Sequence, residues 1–238
     1  MRLIFIRHAE PDYSIDSLTE KGFREAECLA KRVATWDNIT DWYCSPLGRA
    51  KDTCHASLDP LGKEAEILPW LKEFYVPIND PDSGKKRIPW DLMPEYYTNI
   101  PILYDKDNWQ NAEIYEGSEL KSELVKVNEG LDALLLKYGY KREGKIYVTE
   151  KEHDDTTIVL FCHLGVSYVC LAHLLGISPA ILWQTYFVAP SSVTIVTAEE
   201  RIPHKAGFRI QVMGDTKHLA AAGEPISKSG YFAEVFQK

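Results

Sequence analysis

Four basic side chains stand where chemistry on an anion could be done. Arg7 and His8 follow directly on the apolar run Leu3 to Ile6, inside the tetrad Arg7-His8-Ala9-Glu10. Arg49 lies in Ser45-Pro46-Leu47-Gly48-Arg49-Ala50-Lys51-Asp52-Thr53, just after the short strand-like stretch Asp41 to Ser45. His163 closes a third run, Thr156 to Cys162, and is followed by Leu164-Gly165. Two guanidiniums, two imidazoles and a helix start together suit a dianion. Arginine supplies forked donors that match phosphoryl oxygens, and positive charge for the group in transfer. A neutral histidine can attack phosphorus and carry the phosphoryl group as a phosphoramidate, which divides hydrolysis into two easier steps. Any one cluster taken alone could equally be an ordinary strand end with solvated polar residues, so the weight rests on three ends sharing one pattern.

Bringing those groups together requires strands whose carboxyl ends meet. The runs at Leu3 to Ile6 and Thr156 to Cys162 show no polar alternation, as expected of strands covered on both faces in a parallel sheet. In open α/β sheets ligands bind outside the carboxyl ends, where Arg7, His8 and His163 fall. A polar turn over Asp12 to Asp16 leads to a helix from Leu18 to about Val33 with the stripe Phe23, Ala26, Leu29, Ala30 and Val33, leaving Lys21, Arg24, Glu25 and Lys31 solvated. Ser45 and Pro46 read as the start of the next helix, hydroxyl cap followed by proline. Ile67 to Phe74 reads as extended. A long amphipathic helix is expected from Glu119, capped by Ser118, to about Lys137. Lys145 to Thr149 reads as a short edge strand and Lys151 to Asp155 as a charged turn. Past His163 the N-terminus of a helix running from about Val166 to Leu175 offers free amides to an anion. Strands over Ser192 to Thr197 and Phe208 to Met213 complete a mostly parallel sheet.

Between Val76 and Gly117 the character changes. Five of the thirteen prolines fall there, with the basic triplet Lys85-Lys86-Arg87 and six aromatics from Trp90 to Tyr115. Proline prevents one regular element, and so many aromatics are too apolar for a disordered linker. Residues 76–117 are therefore expected to fold back as a loop-rich lid inserted in a single domain spanning 1–238.

The 238 residues, 45% hydrophobic and 26% charged, are ordinary globular material. A net charge of −8 argues against nucleic acid, which requires a clustered basic face. The five cysteines form no CxxC pair, which fits a reducing, cytoplasmic setting. No run is long enough for a membrane helix. No HExxH, Cys/His cluster or glycine-rich P-loop occurs, so no metal or cofactor is expected.

These segments resemble the histidine phosphatase superfamily, the phosphoglycerate mutase-like family. Its Arg-His-(Gly/Ala)-Glu signature is similar to Arg7 to Glu10, its Ser-Pro-Leu-x-Arg-Ala-x-x-Thr segment to Ser45 to Thr53, its His-x-Gly to His163 to Gly165, and its Asp-Thr-x-His-Leu tail to Asp215 to Leu219. The resemblance implies a three-layer α/β/α fold with a mostly parallel central sheet. It also implies a phosphohistidine nucleophile at His8, with Arg7, Arg49, His163 and Leu164 around the phosphate. Glu73, in Trp70-Leu71-Lys72-Glu73-Phe74, resembles the family's leaving-group acid, and a carboxyl in an apolar stretch can stay protonated. It could also be a solvated strand residue, with Glu10, Asp80 or Asp82 as alternative carboxyls. The glycine and second acidic pair that usually follow the acid are absent, and Pro11 stands where some relatives keep a serine. Glu10 reads as fixing local backbone, His173 as a satisfied histidine on an apolar helix, and His218 as structural. His55, His153 and His204 lack partners at metal spacing.

Three functions compete on these residues: a phosphomonoester hydrolase, a mutase that returns the phosphoryl group to its substrate, and a non-catalytic phosphate-binding regulatory protein. A mutase needs an arginine-rich lid, and this one offers a single basic cluster. Hydrolysis of a small phosphorylated substrate is the expectation. Whether Lys85, Lys86 and Arg87 meet a second anion or form a surface turn stays open, as does oligomeric state, and the lid aromatics could stack on a ring or simply pack.

Overall fold

The computed structural model describes residues 1–80, 83–150 and 155–231. Asp82, His153 and the charged turn expected from Lys151 lie outside the described residues, apart from Asp155.

Strand β1 (Arg2–Arg7) shows why an unbroken apolar run belongs in a covered sheet. Its residues 3–6 are at most 5% exposed, and they alternate between two cores. Leu3 and Phe5 join one apolar cluster while Ile4 and Ile6 join the other. The polar stretch after it is a small hairpin, β2 (Pro11–Asp12) with β3 (Ser17–Leu18), rather than a plain turn. Helix α1 (Glu20–Val33) starts at Thr19, whose hydroxyl accepts from the Gly22 amide. Its buried face is rotated from the expected stripe: Phe23 is 46% exposed, whereas Glu25 is fully buried. The cause is a polar anchor, since the Glu25 carboxylate accepts the amide of Glu10 at 2.9 Å. Burial raises the Glu25 pKa to about 7.

β4 (Asp41–Cys44) is followed by α2 (Gly48–Leu58), which begins two residues later than the Ser45 cap and Pro46 suggested. The Ser45 hydroxyl has a tertiary partner, described below. β5 (Glu66–Ile67) ends well short of Phe74, because Pro69 cannot donate to a ladder and instead opens a 3-10 turn over Pro69–Leu71. In the segment 76–117 lie the hairpin β6 (Ile78–Asn79) and β7 (Lys86–Arg87), the short α3 (Pro94–Tyr97) and three 3-10 turns. It does fold back: Ile78, Leu103, Trp109 and Tyr115 are buried in the same cluster as Leu3 and Phe5.

α4 (Leu120–Lys137) buries Leu120, Val127, Leu131, Leu134 and Leu135 as its spacing predicts. Glu119 holds the cap position, while the Ser118 hydroxyl donates to the Tyr115 carbonyl at 2.6 Å. β8 (Tyr140–Glu143) and β9 (Ile146–Thr149) come next, so the expected edge strand has a further strand outside it. β10 (Thr157–Cys162) is wholly buried and runs into α5 (Leu164–Leu175), which starts two residues earlier than expected with His163 as its N-cap. α6 (Pro179–Thr185) had no counterpart in the sequence reading. β11 (Val193–Ile202) and β12 (Lys205–Asp215) form a long antiparallel pair before α7 (Lys217–Ala222).

One eight-stranded sheet has the order β5-β4-β10-β1-β11-β12-β9-β8. β5, β4, β10 and β1 are mutually parallel neighbours, and β11 and β9 are the two strands that run against the rest. Residues of α1 and α2 pack against one face of the sheet, and those of α4, α5 and α6 against the other. This is the three-layer, mostly parallel α/β arrangement. Its parallel half matters most, because β1, β4 and β10 end side by side. Among the described residues no helix is long and apolar enough to cross a membrane.

Candidate active site

His8 emerges from β1 with its backbone held on several sides. Its amide donates to Cys162 at 2.9 Å, its carbonyl accepts from Ser191 at 3.0 Å, and the next amide, Ala9, donates to the Thr53 hydroxyl at 3.0 Å. Thr53 in turn donates to the Arg49 carbonyl, so two of the sequence clusters are stitched together through main chain. The His8 Nδ1 lies 2.7 Å from the Ala9 carbonyl. A carbonyl only accepts, so Nδ1 carries the proton and Nε2 keeps its lone pair. Burial, and after it the charges of Arg7 and Arg49, hold the His8 pKa well below its ordinary value. The ring is therefore neutral at neutral pH.

His163 faces it, with ring centroids 5.0 Å apart. Its Nε2 lies 2.7 Å from the Ser45 hydroxyl, and its pKa too is pushed well down, by burial and by the neighbouring His8 and arginines. Ser45 thus positions an imidazole rather than capping α2. His8 and His163 are only 2% and 0% exposed. Arg7 and Arg49 stand beside them on a cavity of about 690 Å³, which Glu73 and Leu164 also line. Arg7 donates to the Val188 carbonyl at 2.6 Å, and Arg49 is 2.5 Å from Asp16. Arg7 Nε, Arg49 Nε and His163 Nδ1 are buried with no partner among the described residues. An orphaned buried polar group costs about 1–3 kcal/mol, so the two guanidinium nitrogens favour a ligand with acceptor oxygens.

Glu73 reaches the site from the turn after Pro69–Leu71. Its Oε1 accepts the amides of Phe74 at 2.8 Å and Val166 at 3.0 Å. The start of α5 is thus engaged with this carboxyl group, where the sequence reading left all its amides to an anion. Burial raises the Glu73 pKa, and the amides of Phe74, Val166 and Gly165 offset only part of that rise. Gly165 permits the approach: a Cβ there would sit 2.8 Å from Glu73 Oε1 and 2.4 Å from the Trp90 ring. Gly48 is needed for a similar reason, since a Cβ would lie 2.0 Å from the Asp16 carbonyl oxygen.

Arg7, His8, Arg49, Glu73, His163 and Leu164 are therefore brought to one place. Lys85, Lys86 and Arg87 are not, because none of the three lines the cavity. Arg87 is instead held by Asp80 at 2.9 Å and Asp91 at 3.2 Å. Replacing Lys85 and Lys86 by alanine is expected to leave kcat/KM unchanged, whereas Arg87→Ala should lower Tm by removing the guanidinium paired with the buried Asp80, which keeps the Ser83 hydroxyl. Steady-state assays and thermal melts check both halves. Glu10 accepts from the Thr19 and Ser227 hydroxyls and so holds local backbone. His173 is bound to Asp132 at 2.9 Å near the surface, and His218 to Ser191 at 3.0 Å. Asp16, Tyr13 and the α6 aromatics were not singled out from sequence, since a polar loop and an unrecognised helix carry no pattern that marks them. Among the described residues no group of three or more His, Cys, Asp or Glu side chains is placed to hold a metal ion.

Residues 3–79 match the model of the histidine phosphatase superfamily, branch 1, a stretch that takes in Arg7 to Glu10, Ser45 to Thr53 and Glu73. Over those residues the chain is similar to this superfamily. His163 and the Asp215 to Leu219 tail lie beyond the matched stretch. Solved structures of similar fold include the mycobacterial glucosyl-3-phosphoglycerate phosphatase, 18% identical with a TM-score of 0.61 over 90% of this chain and 98% of that one. A phosphoserine phosphatase mutant from Entamoeba histolytica is 18% identical, TM-score 0.57, over 92% and 98% of the two chains. The α-ribazole phosphatase from Shigella flexneri is 21% identical, TM-score 0.57, over 91% and 97%. At these identities it is the fold alone that is shared. No curated protein matches the chain.

Proposed function

We propose that this chain is a phosphomonoester hydrolase that works through a phosphohistidine on His8. The observation that carries the reading is the neutral His8, with Nε2 left free, set beside His163 and the guanidiniums of Arg7 and Arg49, whose buried Nε donors lack partners among the described residues. The phosphoryl dianion sits among those donors. His8 Nε2 gives its lone pair to phosphorus as the bond to the ester oxygen breaks, and Glu73 gives its proton to the leaving alkoxide. Because Oε1 already accepts two amides, Oε2 is the oxygen that carries this proton. A water then attacks phosphorus, returning a proton to Glu73, and phosphate leaves with the His8 lone pair restored. Arg7, Arg49 and His163 act most strongly where charge develops on the equatorial oxygens.

Residues 1–238 form one catalytic domain in this reading, with 76–117 as a lid, and the substrate is small. The cytoplasmic assignment rests on cysteine usage alone. A mutase must hold a second anionic group during transfer. Beyond Arg7 and Arg49 the one cation on the cavity among the described residues is Lys72, itself 3.4 Å from Glu123, so hydrolysis is favoured. Purified protein should hydrolyse an aryl phosphate at an undiminished rate with excess chelator. Activity lost to chelator and restored by a divalent ion would refute the proposal. Arg49→Ala should keep the nucleophile but lower kcat by about a hundredfold or more.

A further inference from the structure

The cavity above the phosphate residues is far larger than a phosphoryl group, and its upper walls are aromatic. Tyr13, Tyr75, Trp90, Trp183, Tyr186 and Phe187 all line it. They come from the loop between β2 and β3, from the segment around the proposed lid, and from α6 with the residues after it. Several are fixed: Trp183 donates to the Gly165 carbonyl at 3.1 Å, Trp90 stands 6.1 Å from Trp183, and Phe187 stacks 4.1 Å from Tyr231. Among the described residues the cations that line the cavity are Arg7, 5.4 Å from the Phe187 ring, Arg49, 5.3 Å from Tyr13, and Lys72. Lys72 is paired with Glu123, and the basic triplet lies elsewhere.

From this distribution we propose that the substrate is a phosphomonoester of an apolar, ring-bearing alcohol carrying no second anionic group. The inference rests on the hydrolase reading above. The phosphoryl group takes the arginines and imidazoles, and the ring fills the space between the aromatic walls, where offset stacking and apolar burial both stabilise it. A carboxylate or second phosphate on the alcohol would enter an apolar wall and lose its water with no unpaired cation among the described residues of that wall to meet it.

Three alkyl phosphates separate the ring from leaving-group chemistry: 2-phenylethyl phosphate, glycerol 2-phosphate and 3-phosphoglycerate. We expect kcat/KM to fall in that order, by about ten- to a hundredfold at the first step, the range one apolar pocket contact supplies. Tyr186 is 53% exposed, so it can be changed with little effect on folding. Tyr186→Ala and Trp90→Leu should each lower the phenylethyl to glycerol selectivity ratio several-fold, and Tyr186→Lys should raise kcat/KM for 3-phosphoglycerate. Equal rates for all three substrates, a preference for 3-phosphoglycerate, or ratios unmoved in both aromatic variants would overturn the ring assignment and leave hydrolysis standing. No turnover of any of the three, with no phosphoryl label on the protein, would overturn both.

Discussion

His8→Ala is expected to abolish phosphoryl transfer, lowering kcat by about 10⁴-fold or more, because a missing nucleophile cannot be replaced by donors that only bind the transferred group. The substitution leaves those donors in place. Arg7 keeps its bond to Val188, Arg49 its contact with Asp16, and His163 its contact with Ser45. Substrate should therefore still bind, and the loss should fall on kcat. Rapid quenching without acid, using labelled substrate, should trap label on the wild-type protein and none on the variant. Label at the wild-type level in His8→Ala would place the nucleophile elsewhere. His163 is the residue to test in that event, as the other neutral imidazole in the site. The pH dependence has a definite sign. His8 must be unprotonated, its pKa is lowered, and activity should fall only as pH drops through a value below the ordinary histidine value of 6.5.

Glu73→Gln should cost about 10² to 10⁴-fold on an alkyl phosphate and little on an aryl phosphate, whose leaving oxygen departs without a proton. The isosteric amide can still accept the Phe74 and Val166 amides, so the start of α5 is preserved and the difference isolates proton transfer. The acid must be protonated to act, and its pKa is raised. Activity on the alkyl substrate should accordingly fall as pH rises through a value above the ordinary carboxyl value of 4.5, and that basic limb should vanish in the variant. Equal losses on both substrates would remove Glu73 from the role. Glu10 and Asp80 are poor replacements, since Glu10 is tied to Thr19 and Ser227, and Asp80 to Arg87.

The Glu25 and Lys85 to Arg87 results mark where pattern reading stops. Helical spacing put Glu25 on the solvated side of α1, but spacing counts only residues on the same helix. What buries Glu25 is an amide from Glu10, fifteen residues away in sequence. By charge alone the basic triplet suited either a second anion or a surface turn. Its arginine instead satisfies Asp80 and Asp91, an arrangement that depends on how β6 and β7 fold the loop back.

What the chain determined by itself was local and repetitive. Unbroken apolar runs at Leu3 to Ile6 and Thr157 to Cys162 demand a sheet covered on both faces, because each strand's two sides must find apolar partners. Motif residues at the ends of β1, β4 and β10 then had to meet wherever those strands paired in parallel, and the resemblance to a phosphatase superfamily rests on them. Tertiary structure alone decided the rest. It turned the Ser45 hydroxyl to His163, and it bent Glu73 out of an expected strand to engage the start of α5. It also gathered Tyr13, Trp90 and Phe187 around one cavity. Those choices depend on contacts between residues dozens of positions apart, and no periodicity within a single element records them.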